Sequence, residues 1–376
     1  MLKTYRKWIF AQHLTGDGLG LGQFALRELP MPEPVAGQAL ARIKLINIHS
    51  NTRIRMARGM TKVGETDPTN YACAEILKSR DPAFREGDII ACQAGWQDYQ
   101  IVSSDGGPMG GYGAPSELVR ALNGTNSPWC YVFRPAMVKM WPPDVLMEMF
   151  GTSGMTAYFG LRECGPLMPR DAVAVGGATG SVGAIAAQLA RIAGCRVVGF
   201  AGGEDRCAWA REMLRIRDCL DYRAPDLQER LAAAFPDGID VFSDGVGGAL
   251  TELVVGAMNR HGRLFSFGAA AAFYAPAWAE PAATAVSMRR IFGISDRVEA
   301  VLEARNIKSE AWTVNDFYHD RLRAEDDLSR HLLSGALKPI STVVDGIENL
   351  PAAIVGLYTA PRAGKLQVRF EPTPGG

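Results

Sequence analysis

The stretch VGGATGSVGAIAAQLA, residues 175–190, joins an apolar run to a helix-periodic one through a turn of very small residues. Before it, DAVAV (171–175) reads as a buried strand. After it, GAIAAQLARIAG keeps apolar residues at helical spacing and stops at Gly194. Ala178, Gly180 and Gly183 occupy the three small-residue places of a dinucleotide fingerprint, in the strand–turn–helix context that fingerprint needs. Gly180 lets backbone approach a pyrophosphate and Gly183 lets helix pack on strand. Thr179, Ser181 and Val182 complete a turn that opens onto the N–H groups and positive dipole end of the helix.

The alternation continues outward. CRVVGFA (195–201), DCLDYR (218–223), GIDVFSDGV (238–246) and GRLFSFGA (262–269) read as strands, and helical patterns separate them. Five or six such units specify a doubly wound parallel sheet, a Rossmann domain. An NAD site places an acid at the end of the second strand, whereas an NADP site removes it and adds a cation. Here that place is Gly202 or Gly203, followed by Glu204, Asp205 and Arg206. Arg206 reads either as the partner of a 2′-phosphate, with Tyr222 beside the adenosine, or as a solvated helix-start residue. The first reading makes the cofactor NADPH.

A chain of 376 residues exceeds one ordinary core, so two domains are expected. Forty basic and forty acidic residues cancel, which argues against nucleic acid or an anionic membrane surface as partner. No apolar run reaches membrane-span length, and the start MLKTYRKWIFAQHL lacks the apolar core and cleavage site of a signal peptide. Seven cysteines, scattered singly and never as CxxC, fit reduced thiols in the cytoplasm.

GTSGMTAYFGL (151–161), GGATGSVG, GCRVVGFAGG, DGIDVFSDGVGG and GIENLPAAIVGLYTAPRAGKLQV follow one another in the order of a known family. The chain resembles the zinc-independent medium-chain dehydrogenases/reductases, in the prostaglandin and alkenal double-bond reductase branch, over roughly residues 35–370. The resemblance implies an α/β protein with a GroES-like β-barrel catalytic domain, residues 1–142 and 312–376, around a Rossmann NADP-binding domain, residues 143–311. QALARIKLINIHS, REGDIIACQAGWQDYQIV and GKLQVRF carry the β-type alternation such a barrel needs. The resemblance also places Thr156, Gly245, Gly268 and Arg362 along the cofactor. It implies hydride transfer from NADPH to the β-carbon of an α,β-unsaturated carbonyl or enoyl substrate, and a homodimer. MRRIFGIS (288–295), apolar in its middle, is the candidate edge strand for that dimer.

No metal is expected, because His13, His49, His261, His319 and His331 have no partner at ligand spacing. Four positions depart from the family. Gly245 stands where relatives have Asn, Arg362 where they have the Asn of NxGK, and Thr52 where they have a substrate-side tyrosine. Phe273 takes the place of the tyrosine proposed to serve the substrate oxygen, with Tyr274 one residue on as the candidate catalytic group. Thr52, Trp96, Tyr99, Phe273, Trp278 and Met288 are the expected substrate-pocket residues, forming an apolar cleft for a hydrophobic enone. A quinone reductase, a reductive cyclisation enzyme and a non-catalytic NADPH binder stay open as alternatives.

Overall fold

The structure is a computed structural model, and it describes residues 3–13, 19–50, 52, 55–56, 61–68, 70–104, 130–163, 167–270, 294–309, 312, 314–359 and 362–370. The chain divides into two compact units. One comprises Met1–Thr152, Asn315–His319 and Ser341–Gly376; the other comprises Ser153–Val314 and Asp320–Ile340.

The first unit begins with an antiparallel hairpin, β1 (Thr4–Phe10) and β2 (Phe24–Pro30). Five strands follow: β3 (Ala39–Asn47), β4 (Asn70–Ser79), β5 (Ile89–Ala94), β6 (Tyr99–Val102) and β7 (Cys130–Val132). Helices α1 (Pro135–Met140) and α2 (Pro143–Met149) start on prolines, which cost a helix nothing in its first turn. Helix α3 (Thr152–Glu163) leads into the second unit.

There the sheet is wholly parallel. Its strands are β8 (Ala172–Gly176), β9 (Arg196–Ala201), β10 (Asp218–Asp221), β11 (Ile239–Asp244), β12 (Met258–Ser266) and the short β13 (Lys308–Ser309). Their spatial order is β10-β9-β8-β11-β12-β13, so the chain reverses direction across the sheet between β8 and β11. Ligands of such sheets bind at the carboxyl ends of the strands beside that switch point. Every residue of β8 is buried, as expected of a strand covered on both faces. The intervening helices are α4 (Ser181–Ile192), α5 (Glu204–Leu214), α6 (Leu227–Ala234), α7 (Gly248–Gly256) and α8 (Asp296–Ala304). In α4 the alanines 184, 186, 187 and 190 are buried, small enough to let the helix lie close on the sheet. The doubly wound sheet read from the sequence is thus present.

Helix α9 (Arg321–Leu333) precedes the return to the first unit through β14 (Ser341–Asp345), α10 (Leu350–Thr359) and β15 (Lys365–Arg369). Strand β15 pairs antiparallel with β3, closing the order β14-β15-β3-β4-β5-β7, and β6 also pairs with β3.

Two stretches fall on the other side of the division from where the sequence placed them. Residues 143–152 cluster with the first unit: Asn47 Nδ2 donates to the Met147 carbonyl (3.2 Å) and Gln367 Nε2 to that of Asp144 (3.0 Å). Residues 312–314 and 320–340 cluster with the second. The Lys338 N–H donates to Gln188 Oε1 (2.9 Å), Arg191 reaches the Ala336 carbonyl, and Trp312 packs on Phe265. Most of the candidate edge strand, residues 288–293, lies outside the described residues.

Candidate cofactor site

The fingerprint turn is built by its own backbone. Gly177, at φ +65°, reverses the chain after β8, and its carbonyl accepts from the Gly180 N–H at 2.8 Å. The Ala178 N–H donates to the Phe200 carbonyl (3.0 Å), tying the turn to β9. A Cβ on Gly183 would stand 2.3 Å from the Gly177 oxygen, so this glycine is demanded by the turn backbone itself and not by strand packing, as the sequence had suggested. A Cβ on Gly180 would stand 3.2 Å from the same oxygen. Gly180 caps α4 with no side chain, which leaves the mouth of the helix to backbone alone. The first-turn N–H groups of Ser181, Val182 and Gly183 have no carbonyl within the helix to bond, and with the dipole they form an anion seat.

At the end of β9 the structure answers what the two acids do. Glu204 is drawn away by an ion pair with Arg211 at 2.5 Å, and Asp205 is exposed. Arg206 turns inward instead, donating from Nη2 to the buried Thr179 Oγ1 at 2.6 Å. Gly203 adopts φ +97°, a conformation that favours glycine, and its N–H bonds Asp221 Oδ1 at 2.9 Å. Gly202 is crowded by the side chains of Tyr222 and Arg223. The sequence reading missed Arg223, since nothing in its spacing brings it beside residue 202.

At the end of β11, Asp244 is fully buried and accepts from the Val246 and Gly247 N–H groups (2.8 and 3.2 Å) and from the Thr251 hydroxyl. Burial raises its carboxyl above the usual range against those bonds. The glycine at 245 has a physical reason: its Cβ would sit 2.4 Å from the Phe267 ring. Phe267 fills the volume an asparagine would use, and Gly268 lies against the Gly245 carbonyl, 3.1 Å from where its own Cβ would be. Thr156 is half-buried on α3. Thus Ala178, Thr179, Gly180, Ser181, Val182, Gly183, Gly202, Gly203, Arg206, Tyr222, Gly245 and Gly268 all lie in the turns that follow β8 to β12 or at the helix starts beyond them.

The expected substrate-side residues are more scattered. Thr52 is buried in the first unit, its hydroxyl donating to Asn70 Oδ1 at 3.4 Å; Arg55 and Asp67 form an ion pair nearby in sequence. Trp96 belongs to the first unit's core, its ring packed on Phe24 at 5.2 Å and its carbonyl accepting from the Trp8 N–H, so it is a packing residue and not a cleft wall. Tyr99 is half-buried in β6 opposite Arg42 of β3. Arg362 is exposed just before β15. Phe273, Tyr274, Trp278 and Met288 lie outside the described residues.

The first unit also holds two basic groups whose titration is shifted by their surroundings. Lys365 Nζ donates to the Ile48 carbonyl at 3.1 Å, and burial pushes its pKa down to about 7 against the pull of Glu148. His49 is half-buried, with its Nε2 shielded from solvent and unbonded among the described residues; desolvation and then Lys365 hold it well below the usual imidazole range.

The nucleotide-binding half and the N-terminal half each match a family model. One described as zinc-binding dehydrogenase covers residues 181–304, and one described as the N-terminal domain of oxidoreductase covers residues 6–108. Among curated relatives, an NADPH-dependent curcumin reductase of Escherichia coli is 27% identical over 97% of this chain and 96% of its own. Prostaglandin reductase 1 of Oryctolagus cuniculus is 26% identical over 96% and 92%. The solved structure of CurA from Vibrio vulnificus superposes with a TM-score of 0.79 at 25% identity, covering 98% of this chain and 99% of that one, and CurA has also been solved with NADPH. The segment matched by the zinc-named model runs from α4 to α8 within the second unit, and no three His, Cys, Asp or Glu side chains come together as a metal site among the described residues. With both halves matched and the fold shared from end to end, the chain belongs to the zinc-independent medium-chain dehydrogenases/reductases.

Proposed function

We propose that this protein is an NADPH-dependent reductase of an activated carbon–carbon double bond, acting on a hydrophobic α,β-unsaturated carbonyl or enoyl compound. The observation that carries the cofactor reading is the end of β9, where two glycines replace the acid of an NAD site and Arg206 turns inward onto the fingerprint turn. The substrate class rests on relatives named for curcumin, alkenal and prostaglandin reduction. The residues present fit a bound dinucleotide: a side-chain-free helix mouth for the pyrophosphate and a cationic corner for the 2′-phosphate.

Bound NADPH supplies hydride to the β-carbon. The chain's part is to hold the reactants and to steady the charge that grows on the carbonyl oxygen. Ser181, Val182 and Gly183 seat the diphosphate by their N–H groups, and the Asp244 bonds fix the turn after β11. Tyr274 is the group we assign to the carbonyl oxygen or to proton delivery, since Phe273 offers no donor. Trp278 and Met288, with Thr52 and Tyr99, are proposed to line the substrate side. We also propose a cytoplasmic homodimer. No described helix is long and apolar enough to cross a membrane.

The test is NADPH oxidation across a panel of enones, enoyl thioesters and quinones, with product mass. A gain of two hydrogens on an enone supports the reading. Turnover of quinones alone, a cyclised product, or NADPH binding with no turnover of any compound overturns it.

A further inference from the structure

We infer that Arg223, at the end of β10, is a second cation of the 2′-phosphate subsite and sets cofactor preference together with Arg206. The inference rests on the NADPH reading above, but it concerns a residue outside the fingerprint and on a different strand.

The geometry comes from the sheet. β10 pairs with β9 in parallel, Asp221 opposite Ala201, so the residues that follow each strand emerge side by side. A Cβ on Gly202 would stand 2.7 Å from Tyr222 Oη and 3.1 Å from Arg223 Cζ. The space where an NAD-selective acid would begin is therefore held by a phenol and a guanidinium. An Asp at 202 would meet both; a phosphate arriving there meets a donor and a cation.

The charge on Arg223 is not spent elsewhere. It is exposed and makes no ion pair among the described residues. Its guanidinium lies 5.5 Å from the Tyr222 ring centroid, and such stacking restricts a side chain that would otherwise sample many rotamers. Two of the nearby carboxylates are engaged by other groups. Asp221 Oδ1 accepts from the N–H groups of Gly203 and Arg223 (2.9 and 3.0 Å), and Glu204 is paired with Arg211. Arg206, the other cation, bonds only a neutral hydroxyl, that of Thr179. Arg223 thus stands beside Gly202, with Arg206 in the first turn of α5 bonded to the Thr179 hydroxyl, and neither guanidinium is in an ion pair among the described residues. A 2′-phosphate, with close to two negative charges at neutral pH, suits that corner, because guanidinium binds phosphate by paired charge-assisted bonds. The 2′-hydroxyl of NADH carries no charge for them to meet.

Calorimetric titration of the full chain with 2′,5′-ADP, 5′-ADP, NADPH and NADH separates the possibilities. Arg223→Ala should weaken 2′,5′-ADP and NADPH about tenfold, the low end for a charge-assisted bond at an exposed site, and shift 5′-ADP and NADH by no more than ~2-fold. The loss should shrink as salt is raised. Arg223→Gln, which keeps the stem, should reproduce the result, with far-UV circular dichroism checking that both variants fold. If Arg223→Ala binds 2′,5′-ADP like the parent while the parent still prefers it to 5′-ADP, Arg223 is a bystander and the NADPH reading stands. Equal losses for 2′,5′-ADP and 5′-ADP would make it an adenine-stacking residue and overturn the specificity role. A parent that binds 2′,5′-ADP no better than 5′-ADP overturns this inference and the NADPH reading together.

Discussion

Gly183 and Gly180 sit three residues apart and should fail in opposite ways when given a methyl group. A Cβ at 183 falls 2.3 Å from the Gly177 oxygen and 2.8 Å from the Gly177 carbonyl carbon. Both neighbours are backbone, so neither can swing aside, and the turn must retreat by roughly 1 Å to restore contact distance. Overpacking costs about 1–3 kcal/mol and the upper half of that range applies against two backbone neighbours, so after the ~1 kcal/mol that the better helix propensity of alanine returns, the net is about 1–2 kcal/mol. With ~2–4 °C per kcal/mol for a unit of this size, Gly183→Ala should lower the melting temperature by about 2–8 °C. Gly180 meets the same oxygen at 3.2 Å, which a few tenths of an ångström relieve. Gly180→Ala should fold nearly as the parent does, yet its methyl stands at the helix mouth where the pyrophosphate must approach. NADPH affinity should then fall about tenfold or more, since a bound anion loses close backbone contact. Differential scanning fluorimetry with and without NADPH, alongside direct titration, reads both effects. An unshifted melting temperature for Gly183→Ala, or parental NADPH affinity for Gly180→Ala, would refute the reasoning.

Arg206→Ala should weaken NADPH more than NADH, because it removes a cation and not a stacking surface; equal losses in titration would contradict this. Tyr274→Phe should lower turnover about 10²-fold with NADPH binding retained, and parental steady-state rates would make Tyr274 a bystander. Lys365 titrates near 7 in the folded chain and at its ordinary higher value when unfolded, so between those values the unfolded state holds more protons. Stability should therefore rise from pH 7 towards 10, and Lys365→Met should flatten that slope in melting curves taken across the range. His49, also held neutral by desolvation, adds loss of stability as pH falls below the ordinary imidazole value, and His49→Gln should reduce that acid sensitivity. A homodimer predicts twice the chain mass in light scattering at micromolar concentration, and a monomeric mass would remove that proposal.

The parallel sheet was legible because its signals are local. A buried β8 run, three small residues and an alanine-rich helix occur consecutively, and each constrains its neighbour. The glycines at 202 and 203 were legible for the same reason, being the first residues past a readable strand. What surrounds them was not. Arg223 meets Gly202 because β10 pairs with β9, a contact between residues 21 apart that no periodicity encodes. The harmlessness of Glu204 depends on Arg211 reaching back along α5, and the absence of Asn at 245 on a ring from β12's end. Trp96 and α9 show the same limit from the other side. An aromatic residue in a strand-rich segment reads alike whether it faces a cleft or Phe24, and α9 joins the second unit through the bond that Tyr158 donates to Asp327, 169 residues downstream. Local pattern, set by the repeat of helix and strand, was enough to determine which elements form and that a dinucleotide turn is among them. Which side chains share a corner was decided only by strand order and packing, because those bring together residues whose separation along the chain carries no period.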